Sequence, residues 1–258
     1  MRFGEHEATF RFYEELNDFL KEEAKGKDIR YCFSGCPAIK DPIEAIGIPH
    51  TEVELILING ASVGFDHRLR DGDRVAVYPM FESFDVPSII KLRKEPLRDP
   101  TFICDVHLGK LARFLRIAGF DTFYRNDLED PEIVRISAET GRIVLTRDRR
   151  LLYRKAVTHG CFIRSDDPDR QMQEVLRRFD LAGRIGLMTR CPACNGELEA
   201  VPKADILDRL EPLTRKYYDS FFRCVHCDQV YWQGSHYEQF AERFRIWQDR
   251  SGQILPPI

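Results

Sequence analysis

Two Cys-x-x-Cys pairs, Cys191-Pro-Ala-Cys194 and Cys224-Val-His-Cys227, stand 29 residues apart and constrain the chain more than any other feature. Each pair offers two thiolates from one tight turn, and two such turns can enclose one tetrahedral ion. Soft sulfur ligands select Zn2+ over hard cations. Four sulfurs leave no open coordination position, so an ion held by Cys191, Cys194, Cys224 and Cys227 is structural. The competing reading is two redox pairs or free thiols. Residues 187–258 therefore read as a zinc ribbon followed by a helix, with Tyr237, Phe240, Phe244 and Trp247 at helical spacing. Core packing accounts for that stripe better than base stacking does. The aromatics of 214–222 (Tyr217, Tyr218, Phe221 and Phe222) are expected to pack the ribbon onto the domain before it.

Between 101 and 186 the hydrophobic pattern alternates strand and helix. Phe102–Cys104, Asp121–Tyr124, Arg142–Thr146 and Gly160–Arg164 read as strands. Leu108–Ala118, Asp130–Glu139, Arg149–Thr158 and Asp169–Phe179 read as helices. Such alternation implies an α/β domain with a parallel sheet. Cys104 and Cys161 fall in core strands and read as plain hydrophobes.

Ligands of an open parallel sheet collect at the carboxyl ends of its strands. Asp105 follows the first strand, Asp127 and Asp130 the second, and Asp148 the third. Carboxylates that converge repel unless a hard cation lies between them, and oxygen ligands suit Mg2+ or Mn2+. Each acid also has a bland reading. Asp105, Asp130 and Asp148 can cap the helices that follow them, and Asp127 can be a solvated loop residue. Lys110, Arg113, Arg147 and Arg149 lie near these acids in sequence, with His107 and Arg150. They are expected to grip phosphates without reading sequence, or else to be surface cations.

The first eighty residues read as a small α+β unit. Arg2–Phe12 alternates like a strand or hairpin, and Tyr13–Ala24 carries Leu16, Phe19 and Leu20 at helical spacing. Asp41 and Pro42 open a short helix as N-cap and first position. Val53–Ile58, the Asn59-Gly60 turn and Arg74–Pro79 read as strands about a hairpin turn. This order resembles the β-grasp fold of ubiquitin-like sulfur carriers. Those carriers end in a free Gly-Gly, whereas here the chain continues through Met80-Phe81-Glu82, so an interaction or packing module is expected in place of carrier chemistry. Residues 82–100, with Pro87, Pro96 and Pro100, read as a linker. The expected division is 1–81, 82–100, 101–186 and 187–258.

Charge is uneven. Residues 1–80 hold 10 Lys+Arg against 15 Asp+Glu, while 101–190 hold 17 against 13. An Arg-rich segment inside an acidic chain hints at a phosphate-bearing partner. Hydrophobic residues at 43% and charged residues at 31% are ordinary globular proportions. No apolar run is long enough to span a bilayer and the first ten residues hold no signal-like segment, so a cytoplasmic protein with no membrane partner is expected.

The phrases Asp105-Val-His107-Leu-Gly109-Lys110-Leu-Ala112-Arg113, Gly141-Arg142-Ile-Val-Leu-Thr146-Arg147-Asp148, the cysteine pairs and Tyr231-Trp232-Gln-Gly234-Ser235-His236-Tyr237 occur together and in order. Together they resemble the Mut-seven C-terminal RNase family, a PIN-like nuclease domain with an attached zinc ribbon, here preceded by the ubiquitin-like domain. The resemblance implies a PIN-type site in which Asp105 and Asp148 match the first and the T-x-D acids, and Asp130, less securely Asp127, the middle one. Asp166 or Asp167 is a weaker match to a fourth acid. It implies a metal-dependent endoribonuclease using Mg2+ or Mn2+ and an activated water on RNA. The alternatives are a non-catalytic binder of tRNA or rRNA held together by structural zinc, and an adaptor that recruits a protein partner through its ubiquitin-like domain.

Overall fold

The computed structural model describes residues 6–79 and 99–250. The chain divides into two compact units, Met1–Asp99 with Asp130–Phe162, and Pro100–Glu129 with Ile163–Ile258. All but the end of the expected linker lies outside the described residues.

In the first unit, His6–Phe12 (β1) alternates as expected, burying Ala8, Phe10 and Phe12. Its antiparallel partner is Ile29–Phe33 (β2), a strand the hydrophobic pattern did not reveal. A helix, Lys40–Ile46 (α1), leads to Leu55–Ile58 (β3), Ala61–Val63 (β4) and Arg74–Tyr78 (β5). The sheet order is β2-β1-β5-β3-β4, with β1 and β5 parallel at its centre. This is the ubiquitin-like β-grasp arrangement. Asn59 and Gly60, at φ of 51° and 87°, form the two-residue left-handed turn that joins β3 to β4. Phe10, Phe12, Leu16, Ile39, Ile43 and Ile56 fill the core.

Two local expectations need correcting. The helix expected over 13–24 is two 3-10 turns, Glu14–Phe19 and Glu22–Ala24. The side chain of Asn17 donates to Phe12 O and Glu14 O and accepts from Gly26 N–H. These bonds compete with a helical ladder. Asp41 lies inside the first turn of α1, whose N-cap is Ile39.

The α/β strands are Phe102–Cys104 (β6) and Thr122–Phe123 (β7) in the second unit, and Ile143–Thr146 (β8) and Gly160–Phe162 (β9) in the first. The pairs β6/β7 and β8/β9 are parallel. Strands β6 and β8 are buried at every residue, as parallel strands covered on both faces must be. Between these strands stand Gly109–Ile117 (α2), Asp130–Thr140 (α3) and Arg149–Leu152 (α4), and Pro168–Arg178 (α5) follows β9. Helix α4 is far shorter than the expected 149–158. Beyond Leu152 the backbone continues in i+3 turns, Arg154 N–H on Leu151 O and Val157 N–H on Arg154 O, while Leu152 O accepts from Thr51 Oγ1 at 3.5 Å and Val157 O faces His50 Nε2 at 2.9 Å.

The ribbon consists of Leu198–Val201 (β10), Phe221–Cys224 (β11) and Val230–Trp232 (β12), antiparallel throughout, with Pro212–Tyr217 (α6) between β10 and β11. The aromatics of 214–222 do not serve as expected. Phe221 belongs to the ribbon's own core, Tyr218 packs against it, and Tyr217 is 66% exposed. A three-stranded sheet this small needs its own hydrophobic face covered to be stable. The last helix, Ser235–Arg250 (α7), does pack its stripe as a core. Phe240 and Trp247 meet Phe114 of α2 with ring centres 6.0 and 5.4 Å apart. Among the described residues no helix is long and apolar enough to cross a membrane.

Phe10 is fully buried. Phe10→Ala should lower stability by about 3–5 kcal/mol, read as a shift of the urea unfolding midpoint.

Candidate functional site

The four cysteines come together as the spacing predicts. Their sulfurs all lie within 4.8 Å of one another. Cys191 and Cys227 are 3.6 Å apart and Cys194 and Cys224 3.4 Å. Tetrahedral zinc with Zn–S of about 2.3 Å needs sulfurs about 3.8 Å apart, so a small expansion accommodates the ion. Each knuckle turns through a left-handed residue, Asn195 in the first and Asp228 in the second. Gly196 is required by crowding, because a Cβ there would lie 2.9 Å from Cys224 Sγ and 2.8 Å from His226 Nδ1. The His226 and Cys227 N–H groups point at Cys224 Sγ, at 3.4 and 3.5 Å. Tyr231 Oη lies 3.0 Å from Cys191 Sγ and donates to its thiolate. Burial works against ionising Cys191, but the Tyr231 hydroxyl and the N–H groups of Cys194 and Ala193 outweigh it and bring this thiol down to about 7. Burial pushes the Cys227 thiol up to about 12.

The expected catalytic acids each hold a defined local post. Asp105 directly follows β6 and is 5% exposed, and its Oδ1 accepts from His107 N–H at 2.8 Å. It therefore caps the short 3-10 turn Val106–Leu108 that leads into α2. Burial, with Asp105 alongside, pushes the neighbouring Cys104 thiol far up. Tyr124, just after β7, donates to Val106 O at 3.2 Å. Its hydroxyl is pushed up by burial and by the Cys104 and Asp105 charges. Asp148 caps α4, accepting from Arg150 N–H at 2.9 Å, while its own N–H donates to Thr146 Oγ1 at 2.9 Å. Asp130 is half-buried at the start of α3. Asp127 is exposed and paired with Arg125 at 3.0 Å. Asp167 caps α5 through Arg170 N–H, and Asp166 is exposed.

Among the expected phosphate contacts, Lys110 and Arg113 are exposed on α2, and Arg147 is half-buried. Arg149 is exposed too, but its guanidinium lies over the rings of Phe19 and Phe162 and donates to Asp18 O.

Comparison with known proteins settles the family. The Mut7-C RNAse domain matches residues 100–244, more than half of the chain, and the Mut7-C ubiquitin domain matches residues 5–85. The chain belongs to the Mut7-C RNase family. Searches of curated proteins and of solved structures returned no match.

Within this Mut7-C chain, the second unit holds a residue whose role the helical pattern of α2 did not reveal. Arg116 is 6% exposed, and its guanidinium donates to four carbonyls. Two are Thr122 O at 2.9 Å and Tyr124 O at 3.2 Å; the others are Pro192 O at 3.4 Å and Ala193 O at 2.9 Å, inside the first cysteine knuckle. Asn195 completes the junction, accepting from Thr122 N–H at 2.9 Å and donating to Asp121 Oδ1 at 2.7 Å. Burial lowers the Arg116 pKa, but the neighbouring Cys104, Cys194, Cys191 and Asp121 favour its charge.

The purified chain should carry about one zinc per molecule, measured by elemental analysis. Zinc binding must displace the Cys227 proton throughout the neutral range, so affinity falls as pH falls. Below pH 7 the Cys191 thiol also regains its proton, so the loss per pH unit should steepen by about one proton. Competition with a chromogenic chelator at pH 6 and pH 8 reads both effects.

Proposed function

We propose that this Mut7-C chain is a metal-dependent endoribonuclease. Asp105, Asp130 and Asp148 hold Mg2+ or Mn2+, with Asp127 in support. The observation that carries the proposal is the match of the RNase domain over residues 100–244. The local posts of Asp105 and Asp148 support it, since each directly follows or closely follows a buried strand and is held by N–H groups of the next turn. The donor set is all carboxylate oxygen, which fits a hard dication. Such a cation supplies an activated water and neutralises charge on the phosphodiester.

The chain's own residues do the rest. Thr146 Oγ1 fixes the backbone of Asp148, and the turn after β6 fixes Asp105, so neither carboxylate swings freely when substrate arrives. Lys110, Arg113 and Arg147 take the RNA phosphates, which gives sequence-independent grip. The zinc held by the four cysteines is closed to substrate and takes no part in the chemistry. The alternative of RNA binding without turnover calls on the same cations and predicts salt-dependent binding with no cleavage in Mg2+ or Mn2+.

Asp148→Asn is the discriminating variant. Asn caps a helix about as well as Asp, so the fold should persist, as judged by an unchanged circular dichroism spectrum and melting temperature. Mg2+- or Mn2+-dependent cleavage of a labelled RNA should fall by at least about 100-fold. Cleavage at the wild-type rate would leave Asp148 as a helix cap and refute its metal role, whereas a wild-type chain that binds RNA and cleaves none with either metal would return the chain to the binding reading.

A further inference from the structure

The first unit places the ubiquitin-like strands with residues 130–162, and the bonds between them fall in the segment that follows Asp148. Glu52 is 1% exposed, and its Oε1 accepts from Phe162 N–H at 2.5 Å. A buried carboxylate receiving a backbone donor is a strong, charge-assisted bond. His50 sits between Glu44 Oε1 at 2.6 Å and Val157 O at 2.9 Å. Tyr153 donates its hydroxyl to Gly47 O. The guanidinium carbon of Arg149 stands 4.9 Å from the ring centre of Phe19 and 5.0 Å from that of Phe162. Those two rings meet edge to face, 5.7 Å apart, and Arg149 Nη2 donates to Asp18 O at 3.1 Å.

Both routes lead to one residue. Arg149 is the neighbour of Asp148 and opens α4, the turn whose Arg150 N–H is bound by the Asp148 carboxylate. Phe162 pairs with Thr146 across β8 and β9, and Thr146 Oγ1 holds the Asp148 N–H. We propose that the ubiquitin-like domain is an intramolecular brace for Asp148, with Arg149 and Glu52 as positioning residues that keep this carboxylate set for its cation. The proposal rests on the nuclease reading and assigns the N-terminal domain a task inside the chain. It also separates Arg149 from Lys110 and Arg113: Arg149 grips the ubiquitin-like domain, and its loss is felt at the metal and not at the RNA.

The test uses the full chain. Arg149→Ala removes an exposed side chain, which keeps folding out of question, and Arg149→Lys keeps a cation over the two rings. Three quantities are read: amide exchange across 149–162, Mn2+ affinity by calorimetry, and kcat and KM on RNA. For Arg149→Ala, exchange should quicken in 149–152, Mn2+ affinity should fall about 10-fold, and kcat at limiting Mn2+ should fall while KM for RNA stays unchanged. Arg149→Lys should recover most of each loss. Glu52→Gln should quicken exchange of the Phe162 amide. Unchanged exchange, or unchanged Mn2+ affinity, overturns the brace. A raised KM for RNA with metal dependence intact overturns it too, and makes Arg149 a phosphate contact. A wild-type chain that binds no Mn2+ and cleaves no RNA instead removes the nuclease reading and the positioning claim with it, while the exchange contrast still decides whether the domain holds the segment.

Discussion

One buried guanidinium ties the second unit together. Arg116 leaves α2 and satisfies two carbonyls at the end of β7 and two inside the first cysteine knuckle. A desolvated cation with unmet donors would cost several kcal/mol, so the four carbonyls must stay where they are. Two of them belong to Pro192 and Ala193, between the clustered cysteines Cys191 and Cys194. The other two flank Phe123, the last residue before the loop of Tyr124–Glu129. The ribbon and the end of β7 therefore share one polar junction, and the fold of the knuckle sets what Arg116 can reach.

The first unit solves a related problem by other means. Strand β9 stands at the edge of its sheet, and an edge strand presents backbone donors that must find partners. Glu52 takes the donor of Phe162, and His50 and Thr51 face carbonyls of Val157 and Leu152. A buried polar set of this kind is specific more than it is strong: each satisfied bond adds only about 1 kcal/mol, while each orphaned group costs about 1–3 kcal/mol. That asymmetry favours one arrangement of the segment over all others.

Legibility in the sequence followed the range of the forces involved. The four-cysteine cluster was readable because two short phrases each fix two thiols in one turn, and the Asn59-Gly60 turn because its two residues tolerate left-handed backbone. The strand ends bearing Asp105 and Asp148 were readable from hydrophobic runs that stop at an acid. What stayed hidden was decided by partners distant along the chain. Asn17 turned a helical spacing into 3-10 turns by reaching Phe12, Glu14 and Gly26. Helix α4 gave way to tighter i+3 turns, with Arg154 N–H on Leu151 O and Val157 N–H on Arg154 O, while Leu152 O faces Thr51. Arg116 looked like one more polar residue on an amphipathic helix. Charged residues inside the apolar run from Ile48 to Ile58 were the one available hint that His50, Glu52 and Glu54 are buried for a reason.

The capping reading and the metal reading of the carboxylates are not rivals. An ionised carboxylate offers two oxygens and about four lone-pair sites. A cap uses one of them, as Asp148 does with Arg150 N–H and Asp105 with His107 N–H. The cap fixes the direction in which the remaining oxygen surface faces, and it does so from backbone atoms that cannot drift. A cation ligand gains from that preorganisation, because ordering a free side chain at the moment of binding would weaken the ion's hold. The same bond that ends a strand and starts a helix thus fixes the free oxygen of the carboxylate, so a capping role at such a junction does not argue against the proposed metal role.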